Sequence, residues 1–180
     1  MLAAIPAGAQ SALDVGAGNG LLAAELQSAV AEVVAIDIDA DVVDIAARDH
    51  AGILWVNDDV MTHDFDRTFD VVASIATVHH LPDLPAALRR LAGLTAPGGS
   101  LVVIGLARST TPWDHLLSLV GVAQHQWLSR RRNFWQHSAP TARPRHSYRE
   151  VRRIAADALP GVRWRHFPLW RYALIWRNVD

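Results

Sequence analysis

Five short apolar runs rich in β-branched residues recur at helix-sized intervals, over residues 11–15, 33–36, 53–56, 69–75 and 101–104. Between them the apolar spacing turns helical, with Leu21, Leu22, Ala23 and Leu26, then Val42, Val43, Ile45 and Ala46. Leu84, Leu88, Leu91 and Ala92 share one face of a helix predicted over 82–94. Strands that are apolar throughout and alternate with helices belong in a parallel sheet covered on both faces. The pattern therefore predicts an α/β fold, doubly wound, with a mostly parallel sheet. Pro97-Gly98-Gly99 marks a turn before the fifth strand.

After Ala107 the rhythm changes. Residues 113–128 read as an amphipathic helix with Leu116, Leu117, Val120 and Ala123 as its buried stripe. Residues 130–146 are basic and aromatic, are broken by Pro140 and Pro144, and read as a loop. Ser147 and Glu150 have the spacing of a capping box, opening a helix that stops near Leu159-Pro160-Gly161. Two closing strands follow over 162–169 and 172–176. The whole chain, 1–180, is expected to form one domain, with 107–146 as an insertion.

Composition narrows the class. The chain has 180 residues, 51% of them hydrophobic and 19% charged, as in an ordinary globular protein. No run approaches the roughly 20 apolar residues of a membrane span, and the first residues lack the basic start of a signal peptide. A cytoplasmic location is the default expectation. The absence of cysteine excludes disulfides and thiolate metal sites. Charge is split along the chain: residues 1–100 hold 4 Arg against 14 Asp and Glu, and residues 101–180 hold 13 Arg against 4. The basic half either complements the acidic half or favours an anionic partner.

The chemistry gathers where strands end. Asp14-Val15-Gly16-Ala17-Gly18-Asn19-Gly20 joins the first strand to the first helix. Glycines at alternate positions permit a left-handed turn and let a ligand lie on the backbone. Such a turn is expected to present unpaired amides and a positive helix end to that ligand. Asp37 ends the second strand, where a carboxylate accepts both hydroxyls of a ribose. Asn57-Asp58-Asp59-Val60 follows the third, where a carboxylate takes an adenine amino hydrogen. Together these make an adenosine site. A dinucleotide fingerprint needs a third glycine where Leu21 stands, and a phosphate loop needs a lysine that the chain does not have.

The set Asp14-x-Gly16-x-Gly18-x-Gly20, Val34-Ala35-Ile36-Asp37-Ile38-Asp39 and Asn57-Asp58-Asp59-Val60 resembles the class I S-adenosylmethionine-dependent methyltransferases. Phe69-Asp70-Val71-Val72, His79-His80-Leu81-Pro82-Asp83 and Ala96-Pro97-Gly98-Gly99 extend the likeness over about residues 10–106. The subgroup it is similar to methylates small molecules, as in quinone biosynthesis. The resemblance implies a Rossmann-like methyltransferase fold of seven strands, the last one antiparallel. It implies S-adenosylmethionine as cofactor, bound along Asp14, Gly16, Ala17, Gly18, Asn19 and Gly20. Further contacts are expected from Asp37 and Ile38, from Asp58, Asp59 and Val60, and from Ser74 and Ile75. The family's helices that precede the first strand and cover the cofactor are largely absent, so a homodimer partner is one way to supply that cover.

Methyl transfer needs a base only when the acceptor must lose a proton. His79 and His80, just past the fourth strand, are the nearest candidates, although a histidine there can equally cap the next helix or pack under the substrate. Trp113, Trp127 and Trp135, with Phe134, either line an acceptor pocket or pack the insertion. His125, His137, His146 and His166 lack metal-ligand spacing, and no metal is expected. The leading function is methylation of a small organic acceptor. An RNA methyltransferase is the second reading, opposed by Ser74-Ile75-Ala76-Thr77 at the end of strand four, where an amine-holding Asn/Asp-Pro-Pro-aromatic tetrad would stand. A non-catalytic cofactor binder or partner subunit is the third. A nicotinamide dehydrogenase is the remote fourth, disfavoured by the glycine spacing.

Overall fold

The structure, a computed structural model, describes residues 2–111 and 144–179. A 3-10 turn, Leu2–Ala4, leads into β1 (Ser11–Val15), and α1 (Leu21–Gln27) connects it to β2 (Glu32–Asp37). There follow α2 (Ala40–Asp49), β3 (Leu54–Asn57), β4 (Phe69–Ile75), α3 (Leu84–Gly93) and β5 (Thr95–Leu106). After the residues outside the description come α4 (Tyr148–Ala158), β6 (Arg163–His166) and β7 (Arg171–Arg177). The expected helix over 113–128 and most of the loop over 130–146 lie outside the described residues.

The sheet order is β3-β2-β1-β4-β5-β7-β6. The neighbours from β3 through to β5 pair in parallel, and β7 pairs antiparallel with both β5 and β6. The expected seven strands and antiparallel last strand are present. The order reverses between β1 and β4, and open α/β sheets bind ligands at such a reversal.

Alternation along β1 sends Leu13 and Val15 to the face covered by α3 and α4, where they meet Leu88, Leu91 and Val151. Ala12 goes to the opposite face with Ala35, Val71 and Ala73, under Ala23 and Leu26 of α1. Small residues on that face let α1 approach the sheet closely. Each fully buried Leu or Val contributes about 1.5–3 kcal/mol. Helix starts follow local chemistry: Asp39 caps α2 through the amides of Asp41 and Val42, and Asp83 caps α3 through Ala86. Both arms of the Ser147–Glu150 capping box form.

β5 is longer than the run over 101–104 predicted. Thr95 pairs with Phe69 and Ser100 with Val71, so 96–99 bulge out between two points of pairing. The Pro-Gly-Gly signal makes a bulge within the strand, held by Gly98 and Gly99 bonding to Asn178. At the far end, Arg108 bridges Ser147 and donates its N–H to the His146 carbonyl at 2.8 Å. The chain thus leaves the sheet and rejoins it at one place, beyond the end of β5. Among the described residues no helix is long and apolar enough to cross a membrane.

Candidate functional site

The glycine turn is built onto the end of β2. The Gly16 and Ala17 amides both donate to the Ile36 carbonyl, at 2.9 and 3.1 Å, and Gly20 donates to the Ala17 carbonyl at 2.9 Å. The Gly18 N–H donates to Asp37 Oδ2 at 2.9 Å, while Asp39 N–H donates to Oδ1 at 3.1 Å. The expectation of unpaired amides along the turn is therefore corrected: β2 and its terminal carboxylate already satisfy Gly16, Ala17 and Gly18. What the turn offers is surface. Gly18 has φ +54 and open space where a Cβ would stand, so its outer side can carry a ligand. At Gly16 the reverse holds, because a Cβ there would overlap the Thr77 side chain. Thr77 Oγ1 donates to the Gly16 carbonyl at 3.3 Å, tying the β4 end to the turn.

Asp14 lies beneath this turn on the α1 side. It is 1% exposed, and neither carboxylate oxygen has a hydrogen-bond partner. Burial pushes its pKa up to about 7; the Ala23 amide draws it down without bonding geometry, and the Asp37 charge adds to the rise. A buried acid without partners is costly to a fold, and a ligand cation placed over the turn would offset that cost.

The register of β2 and β3 sets Asp37 opposite Asn57, so Asp58 follows directly beside it. Asp58 Oδ2 meets His63 Nδ1 at 2.8 Å, and its Oδ1 accepts the Asp59 N–H at 2.7 Å. The His63 hydrogen bond holds the Asp58 carboxyl below its usual range. Asp59 instead accepts the Met61 N–H at 2.9 Å and shapes the loop. Arg90 of α3 donates to the carbonyls of Val60 and His63, anchoring the segment from behind. Ile38 is 74% exposed next to Asp37, and Ile75 is exposed at the end of β4. Asn19 accepts at its carbonyl from His50 Nε2 at 3.1 Å, with the ring in the donor tautomer. Ser74 is fully buried and donates its hydroxyl to the Val15 carbonyl, so its side chain supports the turn from within.

A second feature lies beyond β4 and β5. A cleft is walled by Val78, Leu81, Leu84 and Leu106, with His79, Arg145, His146 and Tyr172 as its polar groups. Nδ1 of His79 is buried without a hydrogen bond, and the His80 ring lies 4.1 Å away. Burial, with the His80 charge second, lowers the His79 pKa to about 4. The capping alternative for His79 and His80 is removed, since Asp83 caps α3. Ala76, at the entrance, holds φ +56, an unfavourable conformation for a residue with a side chain. Trp113, Trp127, Phe134 and Trp135 lie outside the described residues. His63, Arg90 and Thr77 were not singled out by sequence: each acts through a contact that no local motif encodes.

These residues fit an aminoacyl nucleoside: an unsatisfied buried acid, an open glycine surface, two carboxylates in line and exposed apolar side chains beside them. A family model described as a methyltransferase domain matches residues 13–103. An uncharacterized methyltransferase of Mycobacterium tuberculosis is 38% identical over 182 residues, covering 97% of this chain and 90% of the relative. A ubiquinone biosynthesis O-methyltransferase of Xanthomonas axonopodis is 36% identical over 123 residues, 64% of this chain and 50% of its own length. The chain thus aligns with about half of that enzyme. Among solved structures, an amino pentose methyltransferase of Micromonospora echinaspora with bound S-adenosylmethionine superposes with TM-score 0.69 at 15% identity, covering 98% of this chain and 86% of its own. An N-methyltransferase of Bradyrhizobium japonicum in complex with S-adenosylhomocysteine gives 0.64 at 18% identity, over 96% of this chain and 79% of the other. The likeness to these structures is one of fold. Glycine turn, acids after β2 and β3, sheet order and sequence relatives agree, and the chain belongs to the methyltransferase domain family, within the class I S-adenosylmethionine-dependent enzymes.

Proposed function

We propose that the chain transfers a methyl group from S-adenosylmethionine to a small organic acceptor, with the donor across the end of β1 and the acceptor in the cleft beyond β4 and β5. The observation that carries this reading is Asp14, a carboxylate with both oxygens buried and unbonded beneath an open glycine surface. Bound S-adenosylmethionine supplies a methyl group on a positively charged sulfur, so the protein's task is in-line positioning. Asp14 would offset the ligand's ammonium, directly or through one water. Asp37 would accept the ribose hydroxyls with the lone pairs that Gly18 and Asp39 leave free. Asp58, oriented by His63, would accept the adenine amino hydrogen, and Ile38 and Ile75 would pack on the nucleoside. His79, neutral at physiological pH and weakly basic, suits an acceptor that arrives with a free lone pair. Trp113, Trp127 and Trp135 would cover the acceptor from the stretch that departs and rejoins at Arg108 and Ser147.

The small-molecule part of the reading draws support from the printed activities of the ubiquinone-pathway relatives and of the amino pentose enzyme. Calorimetric titration with S-adenosylhomocysteine tests the donor site. The expected outcome is binding of one equivalent, abolished in Gly18→Val by the side chain that would occupy the open surface. A wild-type chain that gives no binding heat contradicts the proposal.

A further inference from the structure

The cleft beyond β4 and β5 carries a positive charge that nothing among the described residues neutralises. Its walls are apolar, and its polar groups are His79, His146, Tyr172 and Arg145, with no carboxylate among the lining residues. Arg145 is exposed and forms no ion pair with a described Asp or Glu. The acid nearest in sequence, Glu150, spends its Oε2 on the Ser147 N–H and hydroxyl at 2.7 and 2.8 Å. The charges that act on Glu150 are those of His146 and Arg108. The backbone on either side of His146 is fixed, since Arg108 N–H bonds to the His146 carbonyl and Arg108 bridges Ser147. Arg145 is therefore held at the cleft rather than on a free tail.

Resting on the methyltransferase reading above, we propose that the acceptor is an amphipathic organic anion: its apolar body lies along Val78, Leu81 and Leu106, and its anionic group pairs with Arg145. A guanidinium presents paired N–H donors that match a carboxylate, sulfonate or phosphate. The apolar wall selects for the body, and the single cation at one side of the cleft fixes which end enters first. The anion is the anchor and not the methylated atom, because a guanidinium bonded to the reacting oxygen would draw away the electron density that attacks the methyl group.

The test is a fluorescence titration of the full chain, saturated with S-adenosylhomocysteine, using two probes of similar shape. One is the anionic 1-anilinonaphthalene-8-sulfonate; the other is the neutral N-phenyl-1-naphthylamine. Arg145→Gln should weaken binding of the sulfonate by about tenfold while leaving the neutral probe within about twofold. Leu81→Trp, which narrows the apolar wall, should weaken both. Sulfonate binding that is unchanged in Arg145→Gln, or untouched by Leu81→Trp, overturns the inference and leaves the donor site intact. Failure of S-adenosylhomocysteine to bind at all overturns the methyltransferase reading itself.

Discussion

At Asp14, stability and ligand binding pull in opposite directions. Its folded pKa of about 7 lies above the model value of 3.8, so the folded state keeps a proton that the unfolded chain releases. The resulting penalty begins near pH 3.8, grows to about pH 7 and stays level above it. Asn has no proton to release, so Asp14→Asn should stabilise the ligand-free protein, by about 2–3 kcal/mol more at pH 8 than at pH 5. Urea unfolding at the two pH values measures this, and a pH-independent difference contradicts it. The same change should weaken S-adenosylhomocysteine binding. Asp37→Ala should cost about 1–3 kcal/mol of that binding through lost hydrogen bonds to a charged acceptor; unchanged affinity would put the ribose elsewhere. His79 has the opposite sign, because its pKa is lowered to about 4 by burial. Its contribution to stability is full above pH 6.5 and is lost as pH falls toward 4. The methylation rate should show no His79 inflection between about pH 5 and 8, and an inflection near 6.5 that vanishes in His79→Gln would restore it as a general base.

Among the elements, the β6–β7 hairpin holds two residues against their preference. Leu169 and Trp170 have φ of 62° and 60°, as a tight hairpin turn requires, and neither is glycine or asparagine. Trp170 is 43% exposed and fixes Ala107 through its backbone carbonyl, so its side chain packs little. Trp170→Gly should therefore raise stability by about 1 kcal/mol, read as a higher urea midpoint; a lower midpoint would mean that the indole packs more tightly than its exposure implies. The strands were legible because a doubly covered parallel sheet makes each one apolar throughout. The capping residues and the two acids after β2 and β3 were legible because their roles depend on neighbours within a few residues. Thr77 behind Gly16, His63 on Asp58 and Arg90 on the Val60 carbonyl depend on how separate elements come together. The occupied amides of the turn escaped the sequence for the same reason, since their acceptors belong to β2.

Over the whole molecule, the acidic first half supplies the donor-site carboxylates Asp14, Asp37 and Asp58, while Arg145 in the basic second half reaches the acceptor cleft. The Arg67–Glu32 pair, at 2.8 and 2.9 Å, ties the start of β2 to the loop before β4, but it is exposed and contributes about 0–1 kcal/mol. Stability in the presence of ligand should come largely from the donor site: S-adenosylhomocysteine at about 100 times its Kd should add about 2.7 kcal/mol to unfolding, visible as a higher Tm. The central claim is one of location, and a crystal structure of the chain grown with S-adenosylhomocysteine tests it most directly. Density lying over Gly18, with the ribose at Asp37 and the adenine toward Asp58, is the predicted result. A ligand bound elsewhere, or a bare glycine surface in crystals soaked to saturation, would contradict it.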